Sequence, residues 1–95
     1  LTLTPSAYWT QAGDAITVTP AAVGVAYPVV ATVVAPVAGP IVFDGTHADR
    51  FTASLDGITY ASSVTVPAGT STVRLAVTPQ SGDTVLSASV LIPSQ

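Results

Sequence analysis

Residues Val64–Pro79 read VTVPAGTSTVRLAVTP, and this stretch decides the fold. Val64 and Val66 alternate with polar neighbours, Pro67-Ala68-Gly69 breaks the pattern, and Val73, Leu75 and Val77 resume it. Thr72, Arg74, Ala76 and Thr78 take the opposite side. A period of two over runs this short predicts half-buried β-strands. One apolar face and one wet face is the pattern of an antiparallel sheet.

The same alternation spreads outward from there. Leu86, Ala88, Val90 and Ile92 form a second inward row, Phe51, Ala53 and Leu55 a third, and Ile16 with Val18 a fourth. Val, Thr and Ile are frequent and favour pleated surfaces. Breakers recur at the spacing expected of a sandwich or barrel. Strands are predicted at Leu1–Thr4, Ala15–Thr19, Pro28–Ala35, Ile41–Phe43, Arg50–Leu55, Ile58–Tyr60, Ser63–Val66, Thr72–Thr78 and Thr84–Ile92. Asp56-Gly57 reads as a hairpin turn, and Gly13-Asp14 and Gly82-Asp83 as further turns. Pro5, Pro20 and Pro79 each follow a Thr and close a strand, because proline cannot donate to a ladder. The expected fold is all-β: one antiparallel two-sheet β-sandwich over residues 1–95, with 7–9 strands.

Composition narrows the function. Of 95 residues only 7% are charged, against 48% hydrophobic. Ordinary domains carry about 25% charged residues, so this surface is largely Ser, Thr, Gln and backbone. Such a surface repels neighbours weakly and favours association. Two basic residues and a net charge of -3 argue against nucleic acid, whose binding rests on phosphate neutralisation. Cys is absent, which excludes disulfides. The chain starts at Leu1 and has no Met, which reads as a processed product, an excised module or a sequence without its start. The first residues lack the basic start and apolar core of a signal peptide.

Ala21–Phe43 runs without a charge and is long enough to cross a bilayer. Gly24, Pro28, Pro36, Gly39 and Pro40 break it too often for a spanning helix. The expectation is a strand with Val29, Ala31 and Val33 inward and Val30 and Val34 outward. The outward valines read either as a partner contact or as surface covered by the preceding loop.

Three candidate sites can be drawn from the residues. In FDGTHADR, Phe43–Arg50, the side chains of Asp44, His47 and Asp49 could offer carboxylate and imidazole to a metal. Their spacing fits no stringent pattern, and a solvated loop with an aspartate on Arg50 is the plainer reading, so no metal and no cofactor are expected. Tyr8-Trp9 could stack on a sugar or anchor a protein contact, with Tyr27 and Tyr60 as possible partners and Gln11 and Asp14 as hydrogen bonders. Alternatively, the single Trp caps the core. Catalysis is not expected: His47 is the sole imidazole, no nucleophile elbow is present, and the chain has no Glu.

SSVTVPAGTSTVRLAVTP, flanked by FTASLDGITYASS and GDTVLSASVLI, resembles the E-to-F hairpin of bacterial and phage immunoglobulin-like, fibronectin-III-like modules. The likeness covers Phe51 to Ile92. It implies a scaffold or binding role and brings no catalytic residues. The Cys pair of antibody-type domains is missing, and Trp9 precedes the place of their core Trp. The expected function is a non-catalytic module of a larger extracellular, cell-surface or virion assembly. Its partners would be proteins, copies of itself included, met through Val30, Val34 and the edge strands Leu1–Thr4 and Thr84–Ile92. The alternatives are a carbohydrate-binding module and a spacer beside a secreted enzyme.

Overall fold

The computed structural model describes residues 1–19 and 23–94. They form nine strands: β1 (Thr2–Leu3), β2 (Trp9–Ala12), β3 (Ala15–Val18), β4 (Tyr27–Ala35), β5 (Gly39–Asp44), β6 (Phe51–Ser54), β7 (Ser63–Val66), β8 (Gly69–Val77) and β9 (Leu86–Leu91). One 3-10 turn, Ala48–Arg50, precedes β6. A four-stranded sheet, β1-β4-β8-β6, faces a five-stranded sheet, β2-β3-β9-β5-β7. Every pairing is antiparallel. The chain is the two-sheet sandwich that its alternation predicts, compatible in its layers with an Ig-like fold.

The strand order follows from one nested ribbon. Ala15 faces Ser89 and Val18 faces Leu86; further in, Tyr27 faces Val77 and Ala35 faces Gly69. Each step forward on one arm is a step back on the other, and the offset is the same in both ladders. It slips by a single residue where Gly39 faces Val66. Ala53 and Ala61 close the innermost pair, exchanging backbone bonds of 2.8 and 2.9 Å. Successive segments of the ribbon fall in alternate sheets, and the β9·β5 and β8·β6 ladders stitch them laterally. Pairing outermost with outermost and folding the ribbon over itself is jelly-roll order, one way of building a double sheet from Greek keys.

The core lies between the sheets. Val29, Ala31, Val33, Val73, Leu75 and Val77 fill it from the four-stranded side, and Ile16, Val18, Ile41, Leu86, Ala88 and Val90 from the other. Phe51 sits at its centre, stacked on Phe43 with ring centroids 5.6 Å apart and met edge-on by Trp9 at 5.9 Å. Aromatic pairs in these geometries add about 0.5–1.5 kcal/mol beyond burial.

Several expectations change. The opening stretch is a corner, not a hairpin: β7 pairs with β5 and β8 with β4 and β6, so Pro67-Ala68 carries the chain from one sheet to the other. Gly69 takes φ 102° there, a conformation L side chains rarely adopt. Ile58–Tyr60 is not a strand. The Asp56 carboxylate accepts the N–H groups of Ile58 and Thr59, each at 2.8 Å, and the Ser54 hydroxyl. That side-chain turn competes with hairpin pairing and leaves Leu55 exposed instead of inward. Trp9–Ala12, read as loop, is a strand that turns at Gly13 into β3. The expected strand closure at Pro20 lies outside the described residues.

Candidate functional site

The polar cluster ties loops together. Arg50 stands at the end of the 3-10 turn and reaches two carboxylates. Its Nε donates to Asp83 at 3.0 Å and its Nη1 to Asp49 at 2.7 Å. Asp83 also accepts the Gln80 N–H at 2.8 Å, so one aspartate closes its own loop and clamps it to the turn 33 residues away. The Arg50 hydrogen bond holds the Asp83 carboxyl below the usual range, helped by the Gln80 N–H. Asp49 is therefore engaged by Arg50, while Asp44 lies exposed at the end of β5 beside Ser89. His47 is half-buried, and its Nδ1 has no partner among the described residues. Asp44, His47 and Asp49 do not converge on a metal shell; among the described residues no three such side chains do. The pairing of Asp83 with Arg50 was not visible in the sequence, because nothing local links the two positions.

The aromatic candidates separate. Trp9 is only 5% exposed and belongs to the core, so it offers no stacking face. Alternation along β2 puts it inward, opposite Val18. Tyr8 points outward and tilts against Tyr27, with centroids 4.7 Å apart. Tyr60 lines a shallow depression with Pro28, Thr52 and Ala76. Gln11, a candidate sugar ligand, is occupied within the fold: its amide donates to the carbonyls of Leu1 and Gly13 and accepts the Leu3 N–H.

The outward valines stand as the period of two requires. Val30 is 37% exposed and Val34 61%. The five-stranded sheet carries its own pair, Val42 directly opposite Leu91, at 41% and 49%. Val34 and Leu91 both line an open recess at one end of the sandwich, together with Leu1, Asp14, Pro36, Ile92, Pro93 and Ser94. Val42, Leu91 and this recess were not anticipated. The signal was present in the alternation of β5 and β9, whose outward positions include apolar residues.

The edges differ from expectation. Thr84–Ile92 was expected to be an edge, but its ordered part, β9, lies between β3 and β5 and has no free side. Leu1–Thr4 does form an edge, reduced to Thr2–Leu3. Thr4 donates to Val30 on the inner side, and Gln11 holds Leu1 and Leu3 on the outer. Edge β6 is covered by Ala61. Edge β7, Ser63–Val66, has β5 on one side only.

No protein-family profile matches the chain, and no curated protein or solved structure shows significant similarity to it.

Proposed function

We propose that this chain is a non-catalytic structural module that joins a larger extracellular, cell-surface or virion assembly through protein contacts, copies of itself included. The observation that carries the reading is apolar exposure on both outer faces: Val30 and Val34 on one sheet, Val42 against Leu91 on the other. Apolar pairs on a surface with this few charges associate readily, since neither repulsion nor charge desolvation opposes contact. Kinship with bacterial and phage Ig-like modules belongs to the same proposal and rests on the sequence likeness over Phe51–Ile92 and the two-sheet layering, not on a hairpin at Val64–Pro79. Jelly-roll order is also known in viral capsid and lectin domains, although fold alone is a weak guide to function. The carbohydrate-binding alternative loses its strongest support with Trp9 in the core.

The test is sedimentation of wild type beside Val42→Asp and Val34→Asp. The reading expects concentration-dependent association that Val42→Asp weakens by about tenfold or more, the cost of desolvating a carboxylate in an apolar contact. Association that is equally strong in both variants would overturn the role given to these faces.

A further inference from the structure

We infer that β7 is the pairing edge of this module and that its occupant is the β7 of a second copy, related by a two-fold axis and running antiparallel. The inference rests on the assembly reading above and names the partner and the contact.

Two of the four sheet edges are covered by the chain itself. At β1, only two residues long, Gln11 takes up the outer groups of Leu1 and Leu3. At β6, Ala61 exchanges both backbone bonds with Ala53. β2 commits its Gln11 side chain to the N-terminal segment, and its Trp9-Thr10-Gln11-Ala12 run holds a single β-branched residue. β7 carries none of the devices that blunt an edge: within Ser63–Val66 there is no charge, no proline and no covering segment among the described residues. Its Val64-Thr65-Val66 run is β-branched throughout and suits a pleated ladder.

Proline fixes which groups are free. Pro40 faces Thr65 across the β5·β7 ladder and has no N–H to give. Antiparallel pairs alternate between bonded and non-bonded, so Pro40–Thr65 is a non-bonded pair and Ile41–Val64 a bonded one. The N–H and C=O of Thr65, and those of Ser63 by the same alternation, therefore point away from β5. They form a short row of donors and acceptors that another extended backbone can match.

Direction chooses the partner. With five antiparallel strands, β2 and β7 run the same way. Translating a copy to place its β2 on β7 would give a parallel ladder, which is less stable per residue. A two-fold axis at β7 gives an antiparallel ladder, uses the same patch twice and closes as a dimer. All five aspartates lie outside β7, so the net charge of -3 puts no like charges in the seam. Val42, opposite Ser63 on the outer face, lies beside the joint and extends its apolar surface.

The decisive measurement is amide hydrogen exchange of the wild-type chain at two concentrations, with sedimentation of Thr65→Pro and Val85→Asp beside it. From about 20 μM to about 1 mM, the Thr65 amide should slow by about tenfold or more while that of Val64, already bonded to β5, stays unchanged. Thr65→Pro removes only an outward N–H, which an edge tolerates; it should weaken dimerisation about tenfold or more, whereas Val85→Asp, an exposed position in the loop before β9, should not. Should Thr65→Pro fail to fold, the wild-type exchange data decide alone. A chain that associates with no protection at Thr65 overturns the β7 seam and leaves the assembly reading standing. A chain that stays monomeric at both concentrations overturns both.

Discussion

The Leu3 N–H donates to the side-chain Oε1 of Gln11 at 2.9 Å, while the amide nitrogen of the same side chain bonds the Leu1 carbonyl. A glutamine side chain here serves as a neighbouring strand would, presenting an acceptor and a donor to alternate residues of an edge. It also joins β2 of one sheet to β1 of the other, so the sandwich is laced along this side.

Replacing Gln11 by Ala removes three hydrogen bonds and leaves part-buried backbone groups without partners, at a cost of about 1–3 kcal/mol. Chemical denaturation should show this loss, and the Leu3 amide should exchange faster than in wild type. Unchanged exchange at Leu3 would mean that Gln11 does not close the β1 edge.

The Asp56 turn predicts an acid-sensitive element. The N–H groups of Ile58 and Thr59 and the Ser54 hydroxyl hold its carboxyl down to about 2 from an ordinary value of 3.8. A depressed carboxylate stabilises the fold above its unfolded pKa, and that contribution is lost as pH falls through the folded value. Stability should therefore fall between about pH 4 and about 2. Asp83, held low chiefly by Arg50, adds to the fall in the same direction. Carboxyl-detected NMR should place the Asp56 midpoint near 2, and Asp56→Ala should flatten part of the acid slope in thermal melts. A midpoint near 4 would contradict the turn.

Gly69 predicts the cost of the sheet-to-sheet corner. Its φ of 102° is strained for any side chain, and the space around a Cβ there is open, so backbone strain acts alone. Gly69→Ala should destabilise by about 1–3 kcal/mol, read as a lower denaturation midpoint with an unchanged m-value. A neutral effect would show that the corner relaxes.

Much of the sandwich was legible because alternation reports which side of a strand is buried. Val73, Leu75 and Val77, or Val29, Ala31 and Val33, needed only their period of two. Which strand neighbours which was not legible. The partners of Val77 are Tyr27 and Phe51, and local sequence carries no record of pairing at such separation. The corner at Pro67-Ala68-Gly69 misled for the same reason: a break followed by a returning pattern looks alike whether the chain turns within a sheet or crosses to the other. Val30 and Val34 were legible as outward residues. Trp9 in the core was one of the two readings open from the sequence, but its strand was missed, because a four-residue strand between Tyr8 and Gly13 is too short to display its period.

The account stands on association through uncharged surface, and sedimentation equilibrium of the wild-type chain at low and high salt tests this most directly. It predicts a mass that rises from the 9.5 kDa monomer toward twice that value with concentration, as strongly at about 1 M salt as at about 0.01 M, because screening acts only on charge. A chain that remains at the monomer mass, or whose association disappears as salt is raised, would contradict it.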